Sequence, residues 1–242
     1  MELELKKEQF ACCRALPPLS DTHEETAETI VPDYCPDIAR IISAEGVVCL
    51  HGGIEQDGVT GTVRVTVLYT PENESGVRAL EFAMPFSAQG EGLAGCAHVV
   101  VETEIELLES RMLNPRKIFT RCKLVTHLAG CRKVCLTISS DAETDPALLV
   151  EKRCCGQTVS LLRQVAEKDL TFSETMSLSL GREGAAELLH CRANGIVTET
   201  KAIGNKLIFK GVFLVSALYR TIGGPAGLRQ RGAALFTDHG DG

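Results

Sequence analysis

Alternating strand patterns, short turn signals and a collinear internal repeat predict a mainly β protein. It is expected to form two repeated antiparallel β-sandwich or partly open barrel domains with short helices, the second copy incomplete. The repeat is clearest in "GTVRVTVLYT" from Gly61 and "GVFLVSALYR" from Gly211, which lie 150 residues apart. Upstream, "GVV" at Gly46 matches "GIV" at Gly195, "ARII" at Ala39 matches "AELL" at Ala186, and "ETI" at Glu28 matches "ETM" at Glu174, at offsets of 149, 147 and 146. The order is kept while the offset drifts, as loop insertions allow. The domains are placed at residues 1–145 and 146–242, with "SSDAETDPALLVEKRCCGQ" as the connection and "TVSLLRQV" as a strand opening the second copy.

Each element follows from local chemistry. In "ETIVPDYCPDIARII", residues 28–42, Pro32 and Pro36 fix φ and push the preceding residue to extended backbone. Pro36 and Asp37 suit a first helical turn, and Ile38, Ile41 and Ile42 follow at helical spacing, so a short helix is expected there. "QDG" at 56–58 and "GNK" at 204–206 read as hairpin turns with φ > 0. Val63, Val65, Val67 and Tyr69 share one strand face, repeated by Phe213, Val215, Ala217 and Tyr219. "HVVVETEIELL" alternates, with Val99, Val101, Thr103, Ile105 and Leu107 opposite Glu102, Glu104 and Glu106. Beyond an Asn114-Pro115 hairpin, Ile118, Cys122 and Leu124 oppose Lys117, Arg121 and Lys123, which sets an acidic strand face beside a basic one. Such a charge pattern reads first as a solvated sheet face with cross-strand pairs. The end of the second copy, "GLRQRGAALFTD", loosely matches "GVRALEFAMPFS" at 76–87, and no second "NPRKIF" follows it.

Composition narrows the function. The 242 residues are 44% hydrophobic and 24% charged, enough to bury a core. The formal charge of −7 opposes nucleic-acid binding, which needs clustered Lys and Arg, and with no Trp and three Tyr an aromatic stacking platform is not expected. No run approaches the length of a membrane span, and "MELELKKEQF" has no apolar signal core, so a cytoplasmic protein is expected. The 11 Cys include two adjacent pairs and no C-x-x-C, and they read as reduced, buried small hydrophobes. His127, Cys131 and Cys135 have metal-like types, but four-residue steps along a strand hold them too far apart for one ion. No G-x-S-x-G, H-E-x-x-H or P-loop is present, "GREG" at 181–184 is too short for a phosphate cradle, and the six His are scattered, so neither enzyme chemistry nor a cofactor is expected.

Pro32, Asp33, Pro36 and Asp37 are missing from the second copy. They are the candidates for a feature special to the first, either a tighter turn or a partner contact.

Several segments in their order resemble the SPOCS domain of SipL-type spore coat proteins of endospore-forming bacteria. They are "VPDYCPDIARIISAEGVV" (31–48), "VTGTVRVTVLY" (59–69), "MPFS" (84–87) and "NPRKIFTRCKL" (114–124), followed by "SETMSL" (173–178), "NKLIFKG" (205–211) and "ALYR" (217–220). The resemblance covers nearly the whole chain. It implies a non-enzymatic morphogenetic role on the mother-cell side of the forespore, with spore coat or morphogenetic proteins as partners and no cofactor. Family members often add a LysM module, and no LysM-like segment is read in these residues. The other reading is a cytoplasmic thiol-based redox or metal-binding protein, raised by the cysteine count. The short second copy is expected to self-associate into a homo-oligomer or to dock on the first, because a half-sandwich leaves sheet edges and apolar surface open.

Overall fold

Period-two alternation runs through most of the chain, and the backbone follows it. A computed structural model describes residues 4–51, 58–90, 92–93, 95–143, 151, 153, 156, 158–162, 185–204, 206–221 and 226–239. Ten strands are described: β1 (Glu4–Ala15), β2 (Leu19–Ile30), β3 (Ile38–Leu50), β4 (Gly58–Pro71), β5 (Arg78–Gln89), β6 (His98–Asn114), β7 (Lys117–Glu143), β8 (Ala185–Ile203), β9 (Lys206–Thr221) and β10 (Ala226–His239). All pairings are antiparallel, and none of the three sheets closes into a barrel.

The first sheet is organised by β7, which pairs with β1, β2 and β6. β1 and β2 run on in line along it, Ala15 opposite Cys131 and Leu19 opposite Leu128, with Pro17 and Pro18 in the break. Proline cannot donate to a ladder, which is why the long strand is interrupted there. The second sheet has the order β3-β4-β5 and packs on the first. Val63, Val65, Val67 and Tyr69 from β4 meet Ile118, Cys122 and Leu124 from β7, with Val31, Ile38, Leu80, Met84 and Phe86 completing one buried cluster. A smaller cluster of Val59, Leu93 and Leu128 closes the other end. The face expected of β4 and the inward side expected of β7 are both as read from the alternation.

The expected helix is absent: among the described residues there is none, and Ile38–Ile42 opens β3. The ladder between β3 and β4 slips between Ile38 and Arg40 and again between Ile41 and Ser43. Two bulges three residues apart turn Ile38 and Ile41 to the same side, and so a strand imitates helical spacing. Ile38 is buried, Ile41 packs on the core and Ile42 is exposed. A bulge between Ile105 and Leu107 likewise corrects β6: Leu108, not Leu107, packs on the core.

The third sheet, β10-β9-β8, repeats the second. Its ladder slips between Ala185 and Glu187 and between Leu188 and His190, 147 residues after the two slips in β3. Ile41 stands opposite Tyr69, and Leu188 opposite Tyr219. The "ARII"/"AELL" and "LY" matches therefore join equivalent positions. The "GVV"/"GIV" match does not, since Val65 faces Gly46 while its equivalent Val215 faces Ala193. The match of β10 to β5 is also two residues out: Tyr69 faces Arg78 and Tyr219 faces Gly227, so Gly227 corresponds to Arg78 rather than to Gly76.

Turn chemistry is visible where it is described. Gly204 has φ of 59° in the β8–β9 hairpin, and the Asn114 side chain accepts from the Arg116 N–H at 2.9 Å in the β6–β7 hairpin. Of the other expectations, Gln56 and Asp57 of "QDG", the boundary near residue 145, "GREG" and "SETMSL" lie outside the described residues. The described part of "TVSLLRQV", residues 158–162, is not strand, although the Leu162 carbonyl accepts from the Cys13 N–H at 2.6 Å.

Candidate functional site

Two carboxylates at Asp33 and Asp37 are set in a proline-stiffened turn; the nearest basic residue in sequence, Arg40, lies within β3, and the cation that answers them comes from elsewhere. Arg116 supplies it from the β6–β7 turn. Its Nη1 donates to the Cys35 carbonyl at 2.8 Å and to Asp37 Oδ1 at 3.0 Å. Its Nη2 donates to the Val31 carbonyl at 2.9 Å and to Asp33 Oδ1 at 3.0 Å. A planar guanidinium suits this fork of four acceptors, where an ammonium would serve fewer.

Backbone bonds lock the same junction. Val31 N–H donates to the Arg116 carbonyl and Ile38 N–H to the Pro115 carbonyl, each at 2.9 Å. Within the turn, Cys35 N–H donates to the Pro32 carbonyl at 2.9 Å, and Tyr69 Oη donates to the Pro36 carbonyl at 3.3 Å. Burial, with Cys35 alongside, pushes the Tyr69 phenol up to about 12. Asp33 and Asp37 are thus brought together on one side chain, while the Pro32 and Pro36 carbonyls are tied to Cys35 and Tyr69.

What the turn shows to solvent is a second matter. Tyr34 is 87% exposed at its tip and Ile30, ending β2 just before it, is 71% exposed. Met112 and Leu113 are exposed beside the same hairpin, Met112 opposite Ile118 and Ile30 opposite Lys117. Tyr34, Ile30, Met112 and Leu113 are thus exposed at the end of the first unit where the two turns meet. A turn tied down at several backbone groups presents its exposed residues at little entropic cost.

The charged face of the first sheet is built as a basic row between two acidic strands. Lys123 pairs with Glu106 at 2.9 Å and Arg121 with Glu24 at 2.6 Å, while Lys117 pairs with Glu28. The expected β6–β7 pairing is present, and β2 adds acids that the sequence pattern did not assign. Arg111 lies 5.0 Å over the Phe119 ring on this face.

Cys12, Cys35, Cys49, Cys96, Cys122, Cys131, Cys135 and Cys191 are thiols outside any disulfide. Burial, followed by nearby Glu25, pushes Cys122 up to about 11. Burial also raises Cys131, with the Cys13 thiol hydrogen-bonded to it and Cys96 and Cys12 nearby. Thiols held protonated in this way are poor nucleophiles. Among the described residues no group of three or more His, Cys, Asp or Glu is placed to hold a metal ion, and no helix is long and apolar enough to cross a membrane.

Comparison with protein families, with characterised proteins and with solved structures finds no match to this chain. Arg116, Tyr34 and Ile30 are the site residues that sequence reasoning passed over. The signal for Arg116 was the pair of carboxylates at Asp33 and Asp37; the exposure of Tyr34 and Ile30 left no sequence signal, because an apolar side chain by itself reads as inward-facing.

Proposed function

We propose that this chain is a non-enzymatic protein-interaction module of spore coat assembly, or of a related sporulation structure in an endospore-forming bacterium. It would work in the mother-cell cytoplasm or at the forespore surface, with coat or morphogenetic proteins as partners. The observation that carries the reading is the Arg116 clamp. "VPDYCPDI" and "NPRKIF", two segments on which the SPOCS resemblance rests, stand about 80 residues apart in sequence, as the Cys35–Arg116 separation of 81 shows, and meet through four hydrogen bonds. Their joint presence is then one structural unit rather than two coincidences. The clamp holds Pro32, Asp33, Pro36 and Asp37 so that Tyr34 projects as the contact residue.

A fluorescent fusion made in the sporulating host tests this. The protein should gather at the forespore surface, and Tyr34→Ala with Ile30→Ser should spread it through the mother cell without changing its melting temperature. Expression confined to vegetative growth, or uniform fluorescence of the unaltered protein during sporulation, would overturn the proposal. The thiol reading draws on the Cys13, Cys96 and Cys131 cluster, but the raised Cys131 thiol counts against fast redox exchange.

A further inference from the structure

β7 outruns the sandwich. Its pairing with β6 ends at Cys131 opposite His98, yet it continues to Glu143 with β1 as its partner among the described strands. Residues 4–14 and 132–143 thus form a two-stranded arm with one apolar face. Phe10 stands opposite Leu136 and Glu8 opposite Ile138, and Phe10, Leu136 and Ile138 are 42%, 39% and 48% exposed. Two strands without a second layer are marginal in water. Backbone bonds show which groups the arm leaves open. Leu16 N–H donates to the Gly130 carbonyl, while Cys13 N–H turns outward to the Leu162 carbonyl. Up to the slip beside Lys7, even-numbered residues therefore bond across the β1–β7 ladder and odd-numbered ones point away from it. Lys133, Cys135, Thr137 and Ser139 accordingly aim N–H and C=O groups out of the β7 edge, on the side that β6 occupies up to His98. "VCLTIS" at 134–139 has no charge and no Pro, the devices that guard such an edge.

We propose that this edge pairs antiparallel with the same edge of a second copy of the chain, with Thr137 on the two-fold axis. The sequence is self-complementary about that residue: Leu136 meets Ile138, Cys135 meets Ser139, and the Lys133 end meets the Asp141 end. Opposite residues of an antiparallel pair share a face, so Phe10, Leu136 and Ile138 of the second copy line up as one apolar row across the joined sheet. Four strands then replace two, and the two-fold pairing uses up the open edge and leaves no end for fibre growth. An overlap of about nine residues at ~3.3 Å each, in a sheet about 10 Å thick, buries on the order of 600 Å² over both copies. That is below the ~1,200 Å² of stable complexes, so the association is weak and concentration-dependent. The inference is independent of any role in sporulation.

Sedimentation equilibrium and peptide-level hydrogen exchange of the full chain test it together. The mass should rise from 26.1 kDa toward twice that value between ~10 µM and ~1 mM. Exchange in a peptide covering 132–139 should slow several-fold over the same range, while exchange across β4 stays constant. Thr137→Pro removes one outward N–H and leaves the β1–β7 bonds in place, so it should return the monomer with its strand content unchanged by circular dichroism. Lys133→Glu, at an exposed position, sets like charges together across the pairing and should weaken association several-fold. A monomer at ~1 mM would overturn the proposal. So would a dimer that both variants leave intact, or exchange at 132–139 that is independent of chain concentration.

Discussion

The Arg116 side chain ties four separate groups of the chain into one corner, and its removal has a definite expectation. Hydrogen bonds from a charged donor contribute about 1.5–3 kcal/mol each where they are shielded, and the side chain here is about one-third exposed, which lowers that figure. Arg116→Ala is expected to cost about 2 kcal/mol in urea unfolding, and Arg116→Lys to recover less than half of it because an ammonium cannot fork. Asp37→Ala should shift the midpoint and Asp33→Ala leave it in place, since the Asp33 carboxylate is fully exposed and Asp37 is partly covered. Equal effects from the two would show that the exposed contact holds the turn as firmly as the covered one. Buried acids set a pH limit. Cys122 and Tyr69 release protons at about 11 and about 12 in the folded chain, above the values of the unfolded chain. The unfolded state therefore loses protons first, and stability falls as pH rises above about 9. Urea midpoints measured from pH 8 to 11 should decline above 9, and Cys122→Val should make the early part of the decline shallower.

At the scale of the strand, two glycines show why the copies share a sequence plan. A Cβ at Gly61 would overlap the Phe86 ring and stand 2.9 Å from the Cys49 carbonyl oxygen. One at Gly211 would stand 2.7 Å from the Ile196 carbonyl oxygen. Cys49 and Ile196 are themselves 147 residues apart, the offset of the bulges. Each strand thus needs glycine at the one point where its neighbour crosses close. Gly61→Ala is expected to cost about 1–3 kcal/mol, more than Gly211→Ala, because the Phe86 ring must move as well. A thermal melt of each variant checks the order, and a milder Gly61→Ala would mean that the ring has room to turn. The bulges explain what alternation could not show. Ile38, Ala39, Arg40, Ile41 and Ile42 satisfy helical spacing, and only the ladder with Tyr69, Thr70 and Pro71 shows that residues 39 and 42 are the ones set aside.

The two buried clusters draw all their described members from residues 16–128. A fragment ending near residue 145 should therefore melt cooperatively, within a few degrees of the full chain at equal concentration, by circular dichroism. A fragment that is unfolded, or that melts far lower, would show that the second copy stabilises the first. The polar link of His190 and Arg192 to Glu45, at 3.2 and 3.9 Å, is partly exposed and adds little to either unit.

The sequence alone determined the β class, the inner faces of β4 and β7, and the Asn114-Pro115 hairpin, because alternation and turn chemistry are local and each residue carries its own signal. It could not identify β2, whose inward residues include Asp21, His23 and Glu25 and whose strand state comes from pairing with β7. Tertiary structure decided that "VPDYCPD" leads into a strand rather than a helix. It also decided that the two carboxylates answer Arg116, since a cation about 80 residues away leaves no mark in the local pattern and becomes a partner only when β6 and β7 fold back over the turn.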